Sequence, residues 1–127
     1  MTYGFSKSVD MPFDVAVEKV TTELQKEGFG VLTTIDVQET LKKKLNVDFT
    51  KYKILGACNP PFAHKALQAE EQIGLLLPCN VIVYEKNRRS VVAAFDPMSM
   101  TRVMENPAIE PVAEEVKHRL ERVIAAV

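Results

Sequence analysis

The sequence has little that marks a membrane, exported or disulfide-bonded protein. It contains no tryptophan, two cysteines and two histidines, and its longest apolar runs are far shorter than the roughly 20 residues of a membrane-spanning helix. The first seven residues form no apolar segment of signal-peptide length, which predicts a cytoplasmic protein. In that compartment, the two cysteines are expected to be free thiols.

An excess of one charge is also missing. The chain has sixteen Lys and Arg residues and seventeen Asp and Glu residues, which gives a net charge of −1. No electrostatic attraction to nucleic acid or to anionic membranes is therefore expected. The chain also lacks a Gly-rich phosphate loop, a nucleophile elbow and a Cys-x-x-Cys pair, which are the motifs that would indicate a reaction directly.

The composition is that of an ordinary globular domain. Apolar residues make up 46% and charged residues 26% of the 127 residues. This length predicts one domain over residues 1–127, in which folding buries roughly two-thirds of the unfolded surface.

Hydrophobic periodicity predicts nine elements in the order β-α-β-α-β-α-β-β-α. The helices each have one apolar face, and the strands keep some polar positions, which favours an α+β fold with a mixed or mostly antiparallel sheet and helices on one face. The predicted strands are 3–9, 30–35, 52–58, 79–85 and 90–95, and the predicted helices are 12–27, 36–46, 60–73 and about 111–127, with a short helical turn at 98–104.

Glycine, proline and asparagine set the predicted ends of these elements. Pro12 is expected in the first turn of the first helix, after a cap at position 10 or 11, and Gly28 is expected to end that helix in a left-handed conformation. Asn59 is expected to cap the third helix. Gly56 predicts a close approach of another group to the third strand, and Pro78 predicts the beginning of the fourth.

Both cysteines fall at junctions between a strand and a helix. Cys58 precedes the start of the third helix, where the helix dipole favours a thiolate, and Cys79 stands at the head of the fourth strand. His64 lies one and a half turns into the helix, so its ring could point to the same end of the sheet. Cys58, His64 and Cys79 could therefore form a zinc or copper site, or a redox dithiol with a nearby base.

Two other interpretations of the same stretch stay open. The cysteines can be small buried apolar residues with no chemistry, and His64 can be a surface histidine. The stretch can also line a plain ligand pocket, whose predicted residues are Gly56, Cys58, Asn59, Pro60, Pro78, Cys79 and Asn80.

The same residues carry a resemblance to a known family. The strings Gly56-Ala57-Cys58-Asn59-Pro60, Ala63-His64-Lys65-Ala66-Leu67 and Leu77-Pro78-Cys79-Asn80 resemble the domain-of-unknown-function family three-hundred-and-two, and the likeness covers nearly the whole chain. The resemblance implies a fold of the TATA-binding-protein-like type, a bacterial or archaeal cytoplasmic setting and often a homodimer. It assigns no reaction, and the fold label implies nothing about DNA.

The sequence therefore leaves two hypotheses of function. The first is a non-catalytic domain that binds a small-molecule ligand or forms a homodimer, with no nucleic-acid or membrane partner. The second is a thiol-based redox enzyme or soft-metal protein that uses Cys58 and Cys79. The sequence does not identify a cofactor or decide whether the protein is an enzyme.

Overall fold

The computed structural model describes residues 3–127, and it has the predicted element order. Within that range, no helix has the length and apolar character needed to cross a membrane. The strands are β1 (Gly4–Val9), β2 (Gly30–Asp36), β3 (Tyr52–Cys58), β4 (Cys79–Lys86) and β5 (Arg89–Phe95), and the helices are α1 (Phe13–Lys26), α2 (Val37–Leu45), α3 (Pro60–Ala69) and α4 (Glu110–Ala126).

The five strands form one antiparallel sheet in the order β1-β5-β4-β3-β2. The predicted α+β class is therefore confirmed, while the TATA-binding-protein-like label stays an implication of the resemblance. β2 is an edge strand, and its pairing with β3 shifts between Val31 and Thr33. This β-bulge leaves Leu32 without a partner in the register.

Local sequence signals explain where several elements begin and end. Gly28 follows α1 with φ of 86°, as predicted, because glycine adopts this left-handed conformation without a Cβ penalty. The Asp36 side chain accepts a hydrogen bond of 3.0 Å from the Glu39 amide and caps α2. Asn87 and Arg88, both with positive φ, make the two-residue turn between β4 and β5, which suits the twist of a hairpin.

Two predicted boundaries are wrong, and at a third, which is correct, the expected capping hydrogen bond is absent. Pro12 occupies the cap position of α1, outside its first turn. α3 ends at Ala69, and a separate 3₁₀ segment, Glu71–Leu76, fills the distance to Pro78. Asn59 precedes α3, but its side chain makes no capping hydrogen bond, because its amide is engaged by another part of the chain, described below.

The buried side chains form two clusters. The larger cluster lies between one face of the sheet and helices α1 and α4, and contains Leu24, Val81, Val83 and Leu120. The smaller cluster lies beside α3 and the two 3₁₀ segments, Glu71–Leu76 and Pro97–Arg102, and contains Ala66, Ile73, Met100, Ile109 and Ala113. Methionines 98, 100 and 104 belong to this second cluster or pack against it, as predicted for flexible core-filling side chains.

In the part of the chain that the structure describes, the opposite face of the sheet carries no buried core of this kind. Val81 and Val83 point to the helices, so Ile82 and Tyr84 point away from them, since side chains alternate along a strand. Tyr84 stacks on Tyr52 with a centroid distance of 5.3 Å, and Ile35 at the β2 edge is 48% exposed. We call this surface the open face of the sheet.

Candidate functional site

A cavity of about 330 Å³ lies where α3 and α4 meet the ends of β3 and β4. None of its eighteen lining residues is charged, and nearly all are apolar. The lining side chains contributed by α3 and α4 are Phe62, Ala63, Ala66, Leu67, Val112, Ala113 and Val116. The volume is within the range of pockets that hold small organic ligands, about 300–1,000 Å³.

Strand pairing brings the two cysteines to one wall of this cavity. Ala57 of β3 pairs with Cys79 of β4, so Cys58 lies one residue beyond that pair, and both cysteines and Pro78 line the cavity. Gly56 makes this arrangement possible. A methyl group there would clash with the Thr33 hydroxyl oxygen and would lie 3.0 Å from Cγ of Pro78, which confirms the predicted close approach.

The cavity occupies the seam between the two buried clusters. Phe29 and Val116 belong to the larger cluster, Met100 and Ala113 belong to the smaller one, and Val112 packs against both. Residues of α4 from both clusters, Val116 and Ala113, therefore line the cavity.

One side of the cavity is braced by polar contacts to the end of α1. The Asn59 side chain, which is 7% exposed, donates a hydrogen bond of 3.1 Å to the Glu27 carbonyl oxygen. Arg119 of α4 donates to the same oxygen at 3.0 Å, and Arg122 pairs with the Glu27 carboxylate at 2.9 Å. Gly28 has a positive φ where the chain turns beside this junction. It also leaves room for the Asn59 side chain, because a Cβ at position 28 would lie 3.1 Å from the Asn59 amide nitrogen.

The two cysteines differ in accessibility and acidity. Burial, with a smaller effect from Cys58, raises the pKa of Cys79 to about 11. At pH 7 such a group is a neutral thiol in all but on the order of one molecule in ten thousand. Cys58 is only half-buried. The geometry thus supplies one accessible thiol and one buried thiol in place of a reactive pair.

The predicted metal ligands are not assembled as a metal site. Across residues 3–127, no group of three or more His, Cys, Asp or Glu side chains could hold a metal ion. His64 is an exposed residue of α3 and is not part of the cavity lining. The structure brings Cys58 and Cys79 together but leaves His64 apart from them.

Of the seven residues predicted to line a pocket, the cavity contains Cys58, Asn59, Pro78 and Cys79. Pro60 and Asn80 are exposed and lie outside the lining. Gly56 is also outside the lining, but it lies against Thr33 and Pro78, which are part of it. Their role in binding a ligand stays a prediction. The walls supplied by α4 and by Met100 were not predicted, because apolar positions that face a cavity have the same sequence pattern as those that face a core.

Comparison with known proteins agrees with the fold. The crystal structure of an uncharacterized conserved DUF302 protein from Bacillus stearothermophilus is similar to this chain, with a TM-score of 0.92 and 29% sequence identity over 99% of this chain and 98% of that one. No curated protein matches the chain. The family model described as Domain of unknown function DUF302 matches residues 5–127, and the chain therefore belongs to this family.

Proposed function

We propose that this protein binds a small ligand with an apolar body in the cavity between α3 and α4, without catalysis. The observation that carries the proposal is the lining: a volume of about 330 Å³ without a charged wall residue. The cavity is open to solvent, and a ligand in it would cover apolar wall residues such as Leu32, which is 68% exposed. The gain from burying the apolar surface of the ligand is about 25 cal/mol per Å².

The few polar groups of the wall would orient such a ligand. Thr33 supplies a hydroxyl, Asn59 an amide and Cys58 a thiol. Ligand pockets commonly combine a largely apolar wall with a small number of placed polar groups. The volume corresponds to about eleven waters at about 30 Å³ each, and so to a ligand on the order of ten non-hydrogen atoms.

Octanol, a neutral ligand of this size, tests the proposal. Titration of isotope-labelled protein should shift the methyl resonances of Leu67, Met100 and Val116 in saturable fashion. The variant Ala63→Leu places a larger side chain in the cavity wall and should abolish the shifts. Ala126→Leu makes the same change at an exposed position of α4, away from the cavity, and should bind like the unmodified protein. Shifts that are absent, or unaffected by Ala63→Leu, would refute the proposal.

The open face of the sheet favours a second role, self-association into a homodimer. Ile35, Ile54, Ile82, Tyr52 and Tyr84 give this face an uncharged centre. A second copy suits such a surface, because an apolar patch is complementary to itself under two-fold symmetry. The net charge of −1 adds little repulsion between two copies.

Sedimentation velocity tests this second role. We expect a dimer at micromolar concentrations, and a monomer for Ile82→Lys, which puts a charge at the centre of the open face. Leu75→Lys, which adds the same charge at an exposed position elsewhere, serves as the control and should remain dimeric. A monomer of the unmodified chain would exclude the homodimer.

Thiol redox chemistry is less well supported. A reactive cysteine needs a low pKa and solvent access, whereas the pKa of Cys79 is raised to about 11. A redox dithiol needs both thiols to react, so we propose that Cys79 serves as a wall residue of the ligand cavity, where the half-buried Cys58 also lies.

A further inference from the structure

We propose that the ligand of this cavity carries a negatively charged group, such as a carboxylate, at one end of its apolar body. This inference rests on the proposed ligand-binding function and concerns the chemical class of the ligand. Its basis is the aromatic wall residue Phe62, which two cations approach from different helices.

Phe62 forms part of the cavity wall, and two cationic side chains from different helices lie near its ring. Nζ of Lys65 in α3 lies 5.6 Å from the ring centroid. Cζ of Arg119 in α4 lies 5.1 Å from it. Both distances are within the range of cation–π contacts, about 6 Å. Two cationic groups therefore lie beside one wall of an otherwise uncharged cavity, and one of them, Arg119, is paired with Glu115.

The two cations differ in how far they are already engaged. Arg119 pairs with Glu115 at 3.0 Å and donates to the Glu27 carbonyl oxygen, so it is held in place. Lys65 is exposed, and among residues 3–127 no acidic side chain forms an ion pair with it. Lys65 can thus turn its ammonium group toward a carboxylate at the cavity without breaking an existing ion pair.

Among residues 3–127, no carboxylate side chain that would repel an anion lines the cavity. An uncharged wall with nearby cations selects an amphipathic anion over a neutral or cationic molecule of the same length. An anion bound there would have its apolar body in the cavity and its charged end near Lys65. Since the cation is exposed, its attraction weakens as salt concentration rises.

Octanoate, octanol and octylammonium form a set of equal chain length that tests this inference. At low ionic strength, calorimetry should give the tightest binding for octanoate and the weakest for octylammonium. The variant Lys65→Gln should weaken octanoate binding about threefold, the size expected for one exposed charge pair, and leave octanol binding unchanged. Lys65→Arg keeps the positive charge and should still bind octanoate more tightly than octanol. Lys44→Gln, which removes an exposed lysine of α2, is the matched control and should bind octanoate normally.

The outcomes separate this inference from the proposed function. Octanol that binds as tightly as octanoate, or a Lys65→Gln variant that loses affinity for both equally, would overturn the anion preference and leave the ligand cavity standing. A failure of all three compounds to bind would overturn both.

Discussion

The side-chain amide of Asn59 donates a hydrogen bond of 3.1 Å to the carbonyl oxygen of Glu27, and this bond joins the start of α3 to the end of α1. The two residues are 32 positions apart. Asn80 also follows a cysteine, but it is exposed on β4. Two identical Cys-Asn pairs in the sequence therefore have different structural roles.

We therefore expect the replacement of Asn59 and of Asn80 by alanine to lower the free energy of unfolding by different amounts. Asn59→Ala should lower the free energy of unfolding by about 1 kcal/mol, because it removes a buried hydrogen bond and leaves the Glu27 carbonyl with Arg119 alone. Asn80→Ala should change it by less than about 0.5 kcal/mol, as is usual for exposed substitutions. Urea unfolding of both variants measures the contrast, and equal costs would contradict the assigned role of Asn59.

Gly56 gives a second prediction. Gly56→Ala should destabilise the fold by about 1–3 kcal/mol, the usual range for overpacking, because the added methyl group would clash with the Thr33 hydroxyl oxygen. Thr33→Ala should recover part of this loss in the double variant, since the clashing atom is then absent. Gly30→Ala is the control, as nothing lies within 4 Å of a Cβ at that position. A double variant no more stable than Gly56→Ala would argue against this contact.

The buried thiol of Cys79 predicts a dependence of stability on alkaline pH. Burial raises the pKa of Cys79 from 9.0 to about 11, so the folded protein keeps this proton when the unfolded chain has lost it. The contribution to stability is fully present below pH 9.0 and is lost as pH rises toward 11. Between about pH 8 and about pH 10.5, it should decrease by about 2 kcal/mol.

Comparison with Cys79→Ala isolates this effect from the titration of tyrosines and lysines. The difference in unfolding free energy between the unmodified protein and Cys79→Ala should shrink as pH rises over this interval. A constant difference for Cys79→Ala would contradict the buried-thiol assignment. In the folded protein at neutral pH, iodoacetamide should modify Cys58 before Cys79, as read by mass spectrometry.

The rim of the cavity gives a fourth prediction. Leu32 lines the cavity although it is 68% exposed, so Leu32→Ser should leave the unfolding free energy within about 0.5 kcal/mol but weaken octanol binding. Leu75→Ser removes a side chain that is 84% exposed and outside the lining, and should affect neither property. Equal octanol affinity in the two variants would remove Leu32 from the binding site.

The sequence predicted the elements well because their signals are local. The left-handed Gly28, the Asp36 cap and the start of β4 after Pro78 each depend on a few neighbouring residues. The boundary of α3 was missed because Ile73 continues the apolar spacing of that helix although it belongs to the 3₁₀ segment. Hydrophobic spacing cannot distinguish one long helix from a helix followed by a tighter turn.

The sequence predicted only those cavity residues that come from one stretch of the chain, residues 56–80. Cys58, Asn59, Pro78 and Cys79 come from that stretch and line the cavity. Arg119 reaches the same region from 92 residues beyond Glu27, and nothing in the local sequence marks such a contact. Asn59 occupies the predicted cap position of α3, but its side chain binds the distant Glu27 carbonyl in place of a local amide, and the local sequence does not indicate this partner either.

The bulge at Leu32 also disfavours the pairing of β2 with a strand from another chain. β2 is an edge strand, and a regular exposed edge can accept a strand from another chain. The shifted register around Leu32 interrupts the regular row of backbone groups that an incoming strand would need. At the opposite edge, β1 carries Lys7, whose ammonium group donates to the Val127 carbonyl at 2.7 Å. The bulge at one edge and the lysine at the other make both edges poor templates for strand addition, and Leu32, the residue at the bulge, also forms the cavity rim.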